Sequence, residues 1–389
     1  MKLEQIDWNQ DVPETYQEKY QALVPSLRRR KGFGLLFVEC SPAQGEKIIE
    51  NVKADLPQKK IEVWHLDQPI EKLFNLVEDL QKTKPVDILF VQGLEHSFYE
   101  YENNQRKMGW DRDKIYTQSW GGVPEILNHL NQQRERFRDR FNICFVFLLP
   151  RFTVDYFIRR APDFFDWRSG FFKFPMDAET LRQESQKVCW ERWQKEDYLA
   201  LTPQERRQKI VEIQSLIDED GQTPDQKADL FFEKGLLHRK AGELEAAIES
   251  YDQAIEIKPY LHQAWNNRGN VLGNLGRYED AIASYDRAIE IKPDFHEAWN
   301  NRGNVLGNLG RYEDAIASFN KAIEIKPDDR EAWYGKACCY ALQGNVEQAI
   351  ENLQQAIELN PEESREMAKT DSDFDNIRED ERFQALIQG

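Results

Sequence analysis

The chain has 389 residues, room for two or three domains. Its 40% hydrophobic content excludes a disordered polymer, and the net charge of −17, where it is concentrated, argues against nonspecific binding to nucleic acid or anionic membranes there. The acidity is uneven, because residues 226–389 hold 31 acidic against 19 basic side chains and residues 1–225 carry only −5.

The start, MKLEQIDWNQ, lacks a basic-then-apolar pattern, and no stretch has the apolar length of a membrane-spanning helix. Cys40, Cys144, Cys189, Cys338 and Cys339 show no paired CxxC spacing and read as reduced, mostly buried thiols of a cytoplasmic protein. The six histidines offer no metal spacing, so neither a metal nor a cofactor is expected.

Residues 1–31 are polar and end in Arg28-Arg29-Arg30-Lys31, which reads as a solvated lead-in to a strand. Short apolar runs follow at 34–40, 61–66, 86–91 and 142–149, separated by helical patterns near 43–55, 69–83 and 122–139. Near-continuous apolar strands alternating with helices predict an α/β domain with a mostly parallel sheet, covered on both faces. Residues 93–122 read as a long, charged, aromatic loop. A hydrolytic site built there on Glu95, His96, Asp111 and Asp113 rests on residue types alone.

Residues 152–174 are the most aromatic stretch, and Gly170 precedes a short strand pattern, Phe171–Phe174. The aromatic residues read as core, with Arg159, Arg160 and Arg168 pairing to Asp163 and Asp166. Thr202-Pro203-Gln204-Glu205 is a capping box that starts a helix through about Asp218. Val188, Trp190, Trp193 and Tyr198 are expected to cover an apolar face of the α/β domain or of the first of the repeated units that begin near residue 228. The turn-rich Asp220–Pro224 closes a helical linker.

From residue 226 the chain repeats. AWNNRGNVLGNLGRYEDAIASYDRAIEIKP from Ala264 returns 34 residues later from Ala298, changed only at Tyr285/Phe319, Asp286/Asn320 and Arg287/Lys321. Weaker copies flank the pair, giving units 228–261, 262–295, 296–329 and 330–363. Each reads as two helices of 3.6-residue periodicity, and one such pair cannot bury its own apolar face. Residues 364–389 read as a cap with Met367, Phe374, Ile377, Phe383 and Leu386 facing inward.

The spacing of Trp265, Gly269, Tyr278, Ala281, Tyr285, Ala288 and Pro293, met again at Trp299, Gly303, Tyr312, Ala315, Phe319, Ala322 and Pro327, resembles the tetratricopeptide repeat. The resemblance implies an all-α solenoid over 226–389 whose first helices line a concave groove. Facing that groove would be Asn266, Asn267, Asn270, Asn274, Asn300, Asn301, Asn304 and Asn308, which can bind an extended peptide without demanding a charge. Against the carboxylate-clamp type, Asn270 and Asn301 match, but Asn266, Glu331 and Gly335 stand where basic residues belong. A neutral or basic peptide therefore suits the groove better than an acidic tail, and self-association is left open.

The order of elements over about 20–175 resembles the nucleotide-binding domain of AAA-type and STAND NTPases. Such enzymes need G-x-x-x-x-G-K-[ST] after the first strand, whereas this chain reads Cys40-Ser41-Pro42-Ala43-Gln44-Gly45-Glu46-Lys47. Glu46 replaces the phosphate-binding lysine, Gln92 occupies the slot of the Mg²⁺-organising aspartate, and Arg151 follows the fourth strand. The resemblance implies an inactive relative over 1–175, followed by a helical linker over 176–225. Another parallel α/β domain, such as a flavodoxin-like one, fits the same pattern. The whole reads as a non-catalytic adaptor; the alternative is a nucleotide-dependent switch using Arg151, Lys47 or the 93–122 segment.

Overall fold

The computed structural model describes residues 15–110, 123–191 and 201–388, apart from the side chains of 189–191. The chain forms two compact units, Met1–Ala246 and Ala247–Gly389, so the division falls inside the first repeat.

The first unit is built on five parallel strands: β1 (Gly34–Glu39), β2 (Ile61–His65), β3 (Ile88–Gln92), β4 (Cys144–Leu149) and β5 (Gly170–Lys173). Their order is β2-β3-β4-β1-β5, which puts β1 between β4 and β5. Side chains alternate between the faces, as the period of two demands. Leu35 and Phe37 join Leu89, Val91, Phe145 and Phe147 in one core, while Leu36 and Val38 join Phe90, Val146 and Leu148 in the other. The second face is covered by α1 (Tyr16–Arg29) and α2 (Pro42–Asp55), the first by α3 (Leu73–Thr83), α4 (Glu95–Lys107), α5 (Glu125–Arg140), α6 (Arg151–Arg160) and α7 (Pro162–Asp166).

Four expectations are corrected here. The basic run is the end of a helix, α1, which a Thr15/Glu18 capping box starts and which buries Tyr20, Leu23, Val24 and Leu27. Much of the long loop is helical as well: α4 buries Phe98, stacked on Tyr156 at 5.0 Å. Asp111 and Asp113 lie outside the described residues. Tyr156, Phe157, Phe164 and Phe165 are core, as their composition suggests, but Phe171 is 41% exposed. Arg168 meets Asp166 at 3.2 Å, whereas the partner of Asp163 is Arg134 at 3.8 Å rather than Arg159 or Arg160.

The connecting helices are α8 (Ala178–Glu191) and α9 (Pro203–Asp218), the latter capped by Thr202 and Glu205 as its sequence predicts. Val188 is buried; Trp190, Trp193 and Tyr198 lie outside what is described. The helix α10 (Pro224–Ala241) completes the first unit, and α11 (Leu244–Ile257) runs across its boundary.

The second unit pairs α12 (His262–Asn274) with α13 (Tyr278–Ile291), α14 (His296–Asn308) with α15 (Tyr312–Ile325), and α16 (Arg330–Leu342) with α17 (Val346–Leu359). The turn inside the first two pairs needs a left-handed residue, supplied by Gly276 and Gly310. Each Trp indole N–H donates to the carbonyl of the proline ending the preceding unit: Trp265 to Pro259 (2.9 Å), Trp299 to Pro293 (3.0 Å) and Trp333 to Pro327 (2.9 Å). The repeat therefore carries its own stacking register.

Arginine clasps reinforce it. Arg268 reaches Asp252 and Ser284, and Arg302 reaches Asp286 and Ser318. At the next turn Asn320 and Lys336 stand in their places, and Lys336 lies over Trp333 and Tyr340 instead. The cap comprises α18 (Pro361–Thr370), a 3₁₀ turn (Ser372–Ile377) and α19 (Glu381–Gln388). Phe374, Ile377 and Phe383 are buried in it, but Met367 is 40% exposed, and Ser364 and Ala368 take the inner positions of α18.

Candidate functional site

Two regions carry chemistry. On the repeats, the eight asparagines divide by environment. Asn266 and Asn300 are buried: Asn266 accepts from the Asn301 amide (3.1 Å), and Asn300 donates to Glu331 (3.3 Å). These three asparagines join neighbouring first helices, so Asn266 and Asn300 do not form a face open to a ligand. Asn270 accepts from the Tyr285 hydroxyl at 2.8 Å. In the next unit Phe319 replaces that tyrosine, and exposed Asn304 loses the corresponding donor. Asn267, Asn274, Asn304 and Asn308 have no hydrogen-bond partner among the described residues; Asn274, Asn304 and Asn308 are exposed, and Asn267 is half-buried.

The second region is a cavity of about 390 Å³ at the carboxyl ends of β1–β4. Ligands of open α/β sheets bind at this end. Its floor is Cys40 and Ser41 after β1, His65 at the end of β2 with Asp67 beyond it, Gln92 at the end of β3 with Glu95 beyond it, and Pro150 after β4. The α9 residues Gln208, Val211, Glu212 and Ser215 line it from above, with Glu184 from α8. Gly93 is required at the turn leaving β3: its φ is 90°, and a Cβ there would lie 2.0 Å from the Leu66 carbonyl oxygen.

Glu95 and His96 are both buried here. Burial raises the Glu95 carboxyl to about 7, against two backbone hydrogen bonds that lower it. Burial, helped by Arg207, lowers His96 to about 4, so its imidazole is neutral at pH 7. The Cys40 thiol is pushed well above its ordinary value, first by burial and then by Glu95, and remains protonated.

The residues expected to test phosphate binding are all displaced from that role. Only Cys40 and Ser41 separate β1 from α2, so Gly45 lies in the first turn of a helix and not in a loop. Ser41 and Gln44 cap each other's amides, occupying donors that a phosphate would use. The Lys47 ammonium sits over the Tyr16 ring at 5.1 Å, and Arg151 is held by Asp220 (2.8 Å) and the Asp218 carbonyl (3.1 Å). No lysine or arginine is among the described residues lining the cavity.

Among the described residues, one group of side chains has the spacing of metal ligands: Cys338, Asp371 and Asp373. Burial, then Asp371, pushes the Cys338 thiol far up, so it is a weak donor toward Asp371 (3.9 Å) rather than a thiolate. The Tyr334 hydroxyl also donates to Asp371, at 2.9 Å, which fits a structural clasp of the cap.

Comparison with known proteins locates the repeats. Tetratricopeptide-repeat profiles match residues 266–330 and 301–364, and a further TPR-repeat profile matches 235–276. An uncharacterised protein of Methanocaldococcus jannaschii is 36% identical over 50 residues, 13% of this chain; the match spans 58% of that relative's length. Among solved structures, MamA is 20% identical, covering 41% of this chain and 96% of its own at a TM-score of 0.36. YrrB, described as a TPR protein with an unusual peptide-binding site, is 23% identical, covering 41% and 79% at a TM-score of 0.36. MamA 41-end from Desulfovibrio magneticus RS-1 is 22% identical, covering 41% and 93% at 0.35. The chain thus carries tetratricopeptide repeats, an assignment that rests on the profiles and on its own 34-residue period. No helix among the described residues is long and apolar enough to cross a membrane.

Proposed function

We propose that the chain is a non-catalytic, cytoplasmic protein–protein interaction scaffold whose repeats take an extended, neutral or basic segment of a partner. The observation that carries this reading is the set of unpaired amides at Asn267, Asn274, Asn304 and Asn308. Side-chain amides both donate and accept, which suits the backbone of an extended peptide. The surplus of acidic residues over 226–389 disfavours an acidic tail.

The α/β unit fits, in this reading, an inactive relative of STAND- and AAA-type NTPases that serves as a second contact or a regulatory module. Supporting it are the parallel sheet, the capped first turn of α2, and the commitment of Lys47 and Arg151 to other partners.

The test is a peptide array of neutral, basic and acidic extended sequences, probed with the full chain and with an N274A/N304A/N308A variant. The wild type should retain neutral and basic peptides, and the variant should lose them with its stability changed by less than about 0.5 kcal/mol. Retention of the same peptides by both would overturn the groove assignment. Melting in millimolar ATP or GTP with Mg²⁺ should leave the midpoint unmoved, whereas a saturable rise would favour the nucleotide switch.

A further inference from the structure

The cavity at the carboxyl ends of the strands has a specific deficit. Glu95 Oε2, Gln92 Oε1 and His96 Nδ1 are buried and have no hydrogen-bond partner. All three side chains are more than nine-tenths buried and line the same cavity, where β3 gives way to α4. Gln92 Oε1 accepts hydrogen bonds, Glu95 Oε2 does so when the carboxyl is ionised, and a neutral imidazole offers a third acceptor at Nδ1 in one tautomer. What these three atoms lack is a donor, and a buried acceptor left unpaired is costly.

The rest of the lining is chemically consistent with this deficit. Glu46, Asp67, Glu184 and Glu212 add carboxylates, and no described cation lines the cavity. Leu66, Leu148, Val211 and Leu216 add an aliphatic surface. The carboxylates do not converge on an ion, because the cluster with metal-ligand spacing among the described residues is elsewhere, at Cys338, Asp371 and Asp373. A volume of about 390 Å³ falls within the range of small-molecule pockets.

We propose that this cavity binds a primary ammonium group carried on a short aliphatic chain. The ammonium brings three donors and a positive charge to Gln92, Glu95 and His96, and the chain lies on the leucine and valine surface. Two carriers share this chemistry: a free alkyl diamine, and the side chain of a lysine on a partner. The inference rests on the α/β unit alone and does not depend on what the repeats bind.

Binding is tied to proton release. A carboxyl poised at about 7 is half protonated at neutral pH, and an ammonium beside it favours the ionised form. The other groups around it are the protonated Cys40 thiol, the neutral His96 with Arg207 nearby, the four carboxylates named above, and His65, paired with Glu46 at 3.3 Å.

The test is titration calorimetry on the full chain with putrescine and, separately, with Nα-acetyl-lysinamide, in two buffers of different ionisation enthalpy. One of the two ligands should bind at one site per chain, releasing about half a proton at pH 7. Affinity should rise between about pH 6 and pH 8, and E95Q should weaken it by about tenfold or more. An exposed-site variant, E362Q, should bind like the wild type, and tetramethylammonium, which has no N–H donors, should not bind. Binding of putrescine alone assigns the site to a free amine; binding of the lysine derivative alone assigns it to a partner's side chain. Failure of both ligands, equal binding by tetramethylammonium, or no proton release from the wild type overturns the proposal. The proton count needs only the wild type, so it decides even where E95Q fails to fold.

Discussion

The side-chain amide of Gln92 fills the space beside Gly45: a Cβ built on Gly45 would lie 2.3 Å from Gln92 Nε2. The glycine at the head of α2 thus serves an internal neighbour, a buried amide at the end of β3, rather than an incoming phosphate. Ordinarily an alanine in a helix is favoured over glycine by up to about 1 kcal/mol. Here that gain is opposed by overlap with the Gln92 amide, which must leave its buried position and shift toward the cavity it lines. We expect G45A to destabilise the chain by about 1–2 kcal/mol in urea unfolding. In the Q92A background the same substitution should be neutral or stabilising, and equal costs in both backgrounds would refute the packing argument.

Glu95 and His96 give opposite pH slopes over the same window. Glu95 has a folded-state value of about 7 against an ordinary 4.5, so the folded chain holds its proton longer than the unfolded one. Stability from this group is complete below about pH 4.5 and is lost as pH rises toward 7, by roughly 3 kcal/mol. His96 is lowered from 6.5 to about 4, so its contribution is complete above about pH 6.5 and is lost as pH falls toward 4, again by roughly 3 kcal/mol. Between about pH 4.5 and 6.5 the two effects cancel. The wild type should therefore show no net slope from this pair there, E95Q should gain stability with rising pH, and H96Q should lose it. Parallel profiles for all three proteins would sink the argument.

Much of this was legible in the sequence, and the gaps have physical causes. Near-continuous apolar runs located the first four strands, because a sheet covered on both faces buries successive residues, and the 3.6-residue period located the repeat helices, because one buried face leaves a fixed spacing. The helix α1 was hidden by Arg28–Lys31, although Thr15/Glu18 and the spacing Tyr16, Tyr20, Leu23, Leu27 were available to find it. The helix α4 was hidden by its polar composition; Phe98 and Tyr101, three residues apart, mark its packed side. Cys40, Gln92 and Glu95 stood out as ends of strands, but their meeting in one cavity depends on the roof from α9, which no local pattern encodes. The asparagines of the repeats were visible as a set. Their division into paired and unpaired members follows from burial and from the Tyr285/Phe319 difference, which sequence periodicity does not rank.

The repeats also depend on glycine, at close approaches between helices. A Cβ on Gly303 would come within 2.7 Å of the Phe319 ring, and one on Gly335 within 2.6 Å of the same ring. Phe319 is 1% exposed and lies in the core shared by α14, α15 and α16, so it cannot swing away. G303A should lower stability by about 1–3 kcal/mol despite the better helix former, as other overpacked cores do. A G303A/F319L pair should recover part of the loss, measurable as a positive coupling in thermal unfolding. The absence of coupling would place the cost of G303A elsewhere.

Glu243 ties α10 to α4 within the first unit. It accepts from the Tyr99 hydroxyl, from the Asn103 amide at 2.5 Å and from His238 Nδ1 at 2.7 Å. Burial by itself would raise this carboxyl, but His238, Tyr99 and Asn103 outweigh it and hold the group below the usual carboxylate range. Burial lowers His238 in turn, so a neutral imidazole donates its Nδ1 hydrogen to an ionised carboxylate. Three donors converge on one acceptor group, and an amide cannot replace it: the NH₂ of a glutamine would face donors on at least one side. E243Q should cost about 1–3 kcal/mol, the penalty of buried polar groups left unmatched. Hydrogen exchange localises the effect. Protection should fall in both Glu95–Lys107 and Pro224–Ala241 while Tyr312–Ile325, in the second unit, keeps its wild-type rates. Loosening of Pro224–Ala241 alone would mean that the knot is local to the repeat and does not hold α4.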